Sequence, residues 1–111
     1  MDTLKKLEKN GIFLKYADIV KICEKYNISE LSIFGSSIRD DFTDKSDVDL
    51  LILYESYLPE SGVSLFTEME MENEFSELIK REVDIVDKEG LKNPIRKRHI
   101  LSSCEIVYAT K

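Results

Sequence analysis

Apolar residues along this chain change their spacing several times, and each change marks an element. Between residues 14 and 26, Tyr16, Ile19, Val20, Cys23 and Tyr26 recur at helical intervals, which predicts an amphipathic helix stopped near Asn27. Ahead of it, residues 2 to 9 read as a short charged helix ending before Gly11. "ISELSIFG" alternates instead, with Leu31 and Ile33 on one face, and predicts a strand. A helical turn over 36 to 41 and the loop "DDFTDKS" lead to a second strand, "DVDLLILY". "ESYLPESG", punctuated by Pro59 and Gly62, is a connector. Leu65, Phe66, Met69, Phe75, Leu78 and Ile79 give the next helix its apolar side, while Glu68, Glu70, Glu72, Glu74 and Glu77 load it with acid and read as a solvated face. "EVDIVD" predicts a third strand. Residues 93 to 102 predict a helix with Pro94 in its first turn, where proline is tolerated, and "CEIVYA" a fourth strand. Strands alternating with helices imply an α/β or α+β sandwich, a single domain over residues 1 to 111.

Composition narrows the function classes. The 111 residues are 42% apolar and 34% charged, an ordinary globular balance. Sixteen basic against 22 acidic residues leave a net charge of −6, which disfavours a polyanion, so no direct nucleic-acid binding is expected. One basic cluster stands out, Ile95-Arg96-Lys97-Arg98-His99, whose plainest reading is a solvated helix face. No apolar run approaches the roughly 20 residues of a membrane helix, and no signal-peptide core opens the chain. Cys23 and Cys104 lack metal-type spacing and sit among apolar residues, which predicts reduced core thiols and a cytoplasmic location.

The stretch "GSSIRDDFTDKSDVDLLI", residues 35 to 52, carries the chemistry. Asp47 and Asp49 stand one residue apart at the mouth of a strand, where like charges repel and aspartate is disfavoured. Alternation points both carboxylates to one side and Val48 to the other. Gly35 ends the first strand, where the chain must turn and something can approach the backbone closely. Ser36 and Ser37 follow at the start of a helical turn, whose free N–H groups and hydroxyls make an anion site. Hard carboxylate oxygens beside a phosphate cradle suit magnesium and a nucleoside triphosphate, the equipment of phosphoryl-type transfer. Asp84, alone between Val83 and Ile85, faces away from both; if its strand neighbours the second, it reaches the Asp47/Asp49 side to hold metal or take a proton. Asp87 is its rival, but reads as a turn residue. Arg39 either meets phosphate oxygens or pairs with Asp40, Asp41 or Asp44.

Gly-Ser, ten residues, then Asp-x-Asp resembles the signature of the DNA polymerase β-type nucleotidyltransferase superfamily, and within it the minimal nucleotidyltransferase (MNT) domains. The order of helices and strands fits across nearly the whole chain. That resemblance implies a mixed sheet flanked by helices. It implies Gly35, Ser36, Ser37 and Arg39 on the triphosphate of ATP, two magnesium ions on Asp47 and Asp49, and Asp84 as the third carboxylate. Many relatives carry glycine after the arginine, where Asp40 stands here. Minimal members pair with a small helical HEPN-domain ribonuclease in toxin–antitoxin systems, and the resemblance implies an antitoxin that transfers AMP from ATP to a tyrosine of that toxin. Two alternatives stay open. One is a homodimeric nucleotidyltransferase for small molecules of the aminoglycoside type, against which the lack of a second, substrate-holding domain argues. The other is a non-catalytic module that neutralises its partner by contact.

Overall fold

The computed structural model describes residues 2–35, 43, 46–54, 65–88 and 91–110. Among the described residues four helices and four strands follow in the order α1 (Asp2–Lys9), α2 (Tyr16–Lys25), β1 (Ile28–Phe34), β2 (Val48–Tyr54), α3 (Leu65–Ile79), β3 (Val83–Asp87), α4 (Pro94–Ser103) and β4 (Glu105–Ala109). The strands form one sheet in the order β3-β2-β1-β4. β1 runs antiparallel to both β2 and β4, whereas β2 and β3 are parallel, so the sheet is mixed as the resemblance implied. A parallel pair needs a crossover, and α3 supplies it between β2 and β3.

Local chemistry explains where the helices stop. The chain leaves α2 through Asn27, whose φ of 55° is the left-handed conformation asparagine tolerates. α4 starts where the side chain of Asn93 accepts hydrogen bonds from the backbone N–H groups of Ile95 and Arg96, at 3.0 and 3.1 Å, with Pro94 at the first helical position.

Two apolar clusters sandwich the sheet. On one face Leu31, Ile33, Val48, Leu50, Ile52, Val83 and Val107 pack against Leu7 of α1, Ile19, Ile22 and Cys23 of α2, and Met71, Phe75 and Ile79 of α3. On the other, α4 covers a smaller patch in which Leu51, Leu91 and Ile100 are buried, with Phe34, Val86 and Cys104 partly so. Phe75, 1% exposed, is among the largest side chains of the first cluster. Phe75→Ala is therefore expected to cost about 3–5 kcal/mol in denaturant unfolding, as large-to-small core changes do.

Three apolar positions depart from the reading of the sequence. Tyr16 is 43% exposed, and the inward face of α2 runs through Ile19, Ile22, Cys23 and Tyr26. In α3, Phe66 and Met69 are exposed at 80% and 55%, and Met71, Phe75, Leu78 and Ile79 line the core instead. Phe66 lies nine residues from Phe75, which at about 100° per residue is half a turn away. Apolar spacing alone allowed two overlapping stripes on this helix, and contact with the sheet chose the later one.

Most of the glutamate run faces solvent as expected, but Glu74 is a link between helices. Its carboxylate accepts a short hydrogen bond from Tyr26 Oη and one from Lys25 Nζ at 2.9 Å. The Tyr26 hydroxyl first, then the Lys25 ammonium, hold Glu74 below the usual carboxylate range. A carboxyl group with a lowered folded pKa stabilises above its unfolded pKa, and the contribution is lost as pH falls through the folded value. The stability advantage of wild type over Glu74→Gln should thus be full at neutral pH and shrink below about pH 4.3; thermal melts of both across pH 3 to 7 read it directly.

Both cysteines are free thiols. Cys23 is fully buried, and burial first, then the charge of Glu24, push its thiol up to about 12. Cys104 is only half-buried, beside the smaller cluster.

Candidate active site

The mouth of β2 is where the signature residues gather. Val48 and Leu50 point into the larger cluster, so Asp49 between them points to the α4 face, the side of Leu51. On β3, Val83 and Ile85 belong to the larger cluster and Val86 to the smaller, so Asp84 faces the α4 side too. The parallel register pairs Asp49 with Asp84 directly. Two carboxylates that stand 35 positions apart in the sequence thus occupy neighbouring sites on one face. The condition set by the sequence, that the Asp84 strand be adjacent to the second strand, is met. Asp47 stands two residues before Asp49, just ahead of β2, with its side chain exposed. The backbone there is tied to the residue just ahead of β3 by the Val48 N–H, which donates to Glu82 O at 2.9 Å.

Gly35 joins this group from the other side. Its strand neighbour Phe34 is the register partner of Asp49, and its φ is +81°, a region that favours glycine. A Cβ at Gly35 would collide with Asp49 Oδ2 and come within 3.3 Å of its Cγ. The Asp49 carboxylate therefore rests on the bare Cα of Gly35. This contact supplies a reason for glycine beyond the turn, and spacing by itself does not reveal it.

Ser36, Ser37 and Arg39 lie outside the described residues, as do the helical turn predicted over 36 to 41 and the connector "ESYLPESG". Among the described residues, no three histidine, cysteine, aspartate or glutamate side chains close into a metal cage. The acidic edge offers neighbouring hard oxygen donors. That set fits magnesium, which binds through one or two carboxylates and takes its remaining ligands from water and phosphate. An open concavity of about 590 Å³, lined by Glu72, Ser76, Glu77, Lys80, Arg81 and Glu82 among others, borders none of the three aspartates. His99 is exposed on α4, as are Arg96, Lys97 and Arg98. No helix among the described residues is long and apolar enough to cross a membrane.

Comparison with known proteins identifies the family and the fold. The family described as polymerase beta, nucleotidyltransferase, matches residues 17–111. The protein adenylyltransferase MntA of Thermococcus cleftensis is 34% identical over 85 residues, 77% of this chain and 78% of that protein. Two solved structures share the fold. A toxin–antitoxin crystal structure with AMP-PNP superposes with a TM-score of 0.68 at 17% identity, covering 88% of this chain and 76% of the other. The tri-AMPylated Shewanella oneidensis HEPN toxin in complex with MNT antitoxin gives 0.60 at 16% identity, covering 94% and 73%. A family match over nearly the whole chain, on a sheet that pairs Asp49 with Asp84 and seats Asp49 on Gly35, makes this chain a nucleotidyltransferase that belongs to the polymerase beta family.

Proposed function

We propose that the chain is a magnesium-dependent protein adenylyltransferase that transfers AMP from ATP to a tyrosine hydroxyl of a HEPN-domain toxin, and so acts as its antitoxin. The observation that carries the reading furthest is the pairing of Asp49 with Asp84 on one sheet face, with Asp49 held against Gly35. A relative named protein adenylyltransferase, and a shared fold with an antitoxin bound to an AMPylated HEPN toxin, support the choice of reaction and partner.

In this reading Asp47 and Asp49 hold magnesium, and Asp84 completes the acidic edge. Magnesium held there would supply positive charge to offset the negative charge that develops on the phosphates during transfer. Gly35, Ser36, Ser37 and Arg39 grip the triphosphate. Asp84 accepts the proton as the tyrosine oxygen bonds to the α-phosphorus; the bond from that phosphorus to the oxygen bridging to the β-phosphate breaks, and pyrophosphate leaves.

The test incubates the purified chain with magnesium, ATP labelled at the α-phosphate and a co-purified HEPN-domain partner. Label on a partner tyrosine is the expected result. An unlabelled partner, with both proteins folded, overturns the reading.

A further inference from the structure

The sheet itself fixes two of the three aspartates. Asp49 pairs with Phe34 on one side and Asp84 on the other, and it rests on Gly35. Asp84 is held by the same parallel register. Asp47 lacks that support. β2 begins at Val48, so Asp47 has no register partner among the described residues, and strand alternation does not dictate the side it faces. Its side chain is exposed. Whatever aims this carboxylate therefore acts through the backbone on either side of it.

Both sides are tied down. After Asp47, the Val48 N–H donates to Glu82 O. Ahead of it, Ser46 and Thr43 form a reciprocal clasp. The Ser46 N–H donates to Thr43 O at 3.0 Å, and the Thr43 N–H donates back to Ser46 Oγ at 3.1 Å. The two hydroxyls are also hydrogen-bonded to each other, at 3.2 Å. Serine serves such a clasp because a hydroxyl on a short stem reaches backbone groups a few residues away. Neither residue is buried, so hydrogen bonds rather than packing define the geometry of the pair. Two of the three bonds use Ser46 Oγ, and alanine there would keep only the one between backbone groups.

We propose that Ser46 is a positioning residue for Asp47: its hydroxyl, bonded to the Thr43 N–H, fixes the backbone from which the Asp47 carboxylate reaches magnesium. The inference rests on the reading of Asp47 as a magnesium ligand given above. A carboxylate held in advance near its binding position gives up less freedom when the metal arrives, so affinity rises without any contact between Ser46 and the metal. The experiment follows ATP binding by calorimetry over a series of free magnesium concentrations, in wild type, Ser46→Ala, Ser46→Thr and Asp47→Asn, below the melting range of each. In Ser46→Ala the midpoint of the magnesium dependence is expected to move about three- to tenfold higher, the worth of a modest hydrogen bond. ATP affinity at saturating magnesium should match wild type, and Ser46→Thr, which keeps the hydroxyl, should bring the midpoint back.

An unmoved midpoint in Ser46→Ala, with magnesium dependence shifted or lost in Asp47→Asn, overturns the positioning role and leaves the metal reading standing. Equal shifts in Ser46→Ala and Ser46→Thr also overturn it, because the hydroxyl is then not what matters. A lower ATP affinity at saturating magnesium with the midpoint in place assigns Ser46 to the general fold and does the same. No magnesium-dependent ATP binding by wild type, or an Asp47→Asn that matches wild type, sinks the metal reading itself and the role of Ser46 with it.

Discussion

Asp49→Asn should lower AMP transfer by about 10³-fold or more, since a metal ligand at the reacting phosphate supplies several kcal/mol of transition-state stabilisation. Calorimetry adds a second readout: Asp47→Asn with Asp49→Asn should abolish magnesium-dependent ATP binding. Asp84→Asn separates the roles within the group. If Asp84 takes the tyrosine proton, that variant still binds magnesium–ATP but transfers AMP about 10²–10⁴-fold more slowly. If nucleotide binding fails in it as well, Asp84 is a ligand first. Asp49→Asn at wild-type rate would remove the carboxylate edge from the chemistry altogether.

Gly35→Ala should damage both stability and activity, and the two losses have separate causes. An L-residue at φ +81° pays about 1–2 kcal/mol in backbone strain, which lowers the thermal midpoint of a domain this size by roughly 5–15 °C. The added Cβ also takes the space of Asp49 Oδ2, so the carboxylate must swing aside. Displacing a reacting group by an ångström costs about 10²-fold in rate. Gly11 is the matched control, because its φ is +80° but a Cβ there would meet nothing nearer than Arg81 Nη2 at 3.9 Å, an ordinary contact. Gly11→Ala should therefore lose stability alone. Transfer rates of both alanine variants, taken below their melting ranges, decide whether Gly35 matters as a turn or as the seat of Asp49. Equal rates in the two would leave only the turn.

What the sequence by itself determined follows from local physics. Spacing and turn signals along the chain located the four helices and four strands seen among the described residues, because alternation, helical phase and the effects of glycine and proline depend only on neighbours along the chain. Asn27 and Pro94 marked helix ends for equally local reasons, whereas the cap that Asn93 makes came from the structure. Gly35, Asp47 and Asp49 were legible because they lie within one short stretch whose residue types suit one chemistry. Asp84 was legible only conditionally: its lone acid between apolar neighbours gave a face but no partner.

Tertiary structure decided the rest, because strand order and register depend on contacts between distant segments. It set β3 beside β2 with Asp84 against Asp49, a pairing that a one-residue slip in register would have turned to the opposite face. It chose which of two stripes on α3 met the sheet, leaving Phe66 and Met69 outside. It recruited Glu74 from an apparently solvated run to bind Tyr26 and Lys25. It also laid α4 on the face of the carboxylates, since Ile100 and Leu51 had apolar surface to bury together.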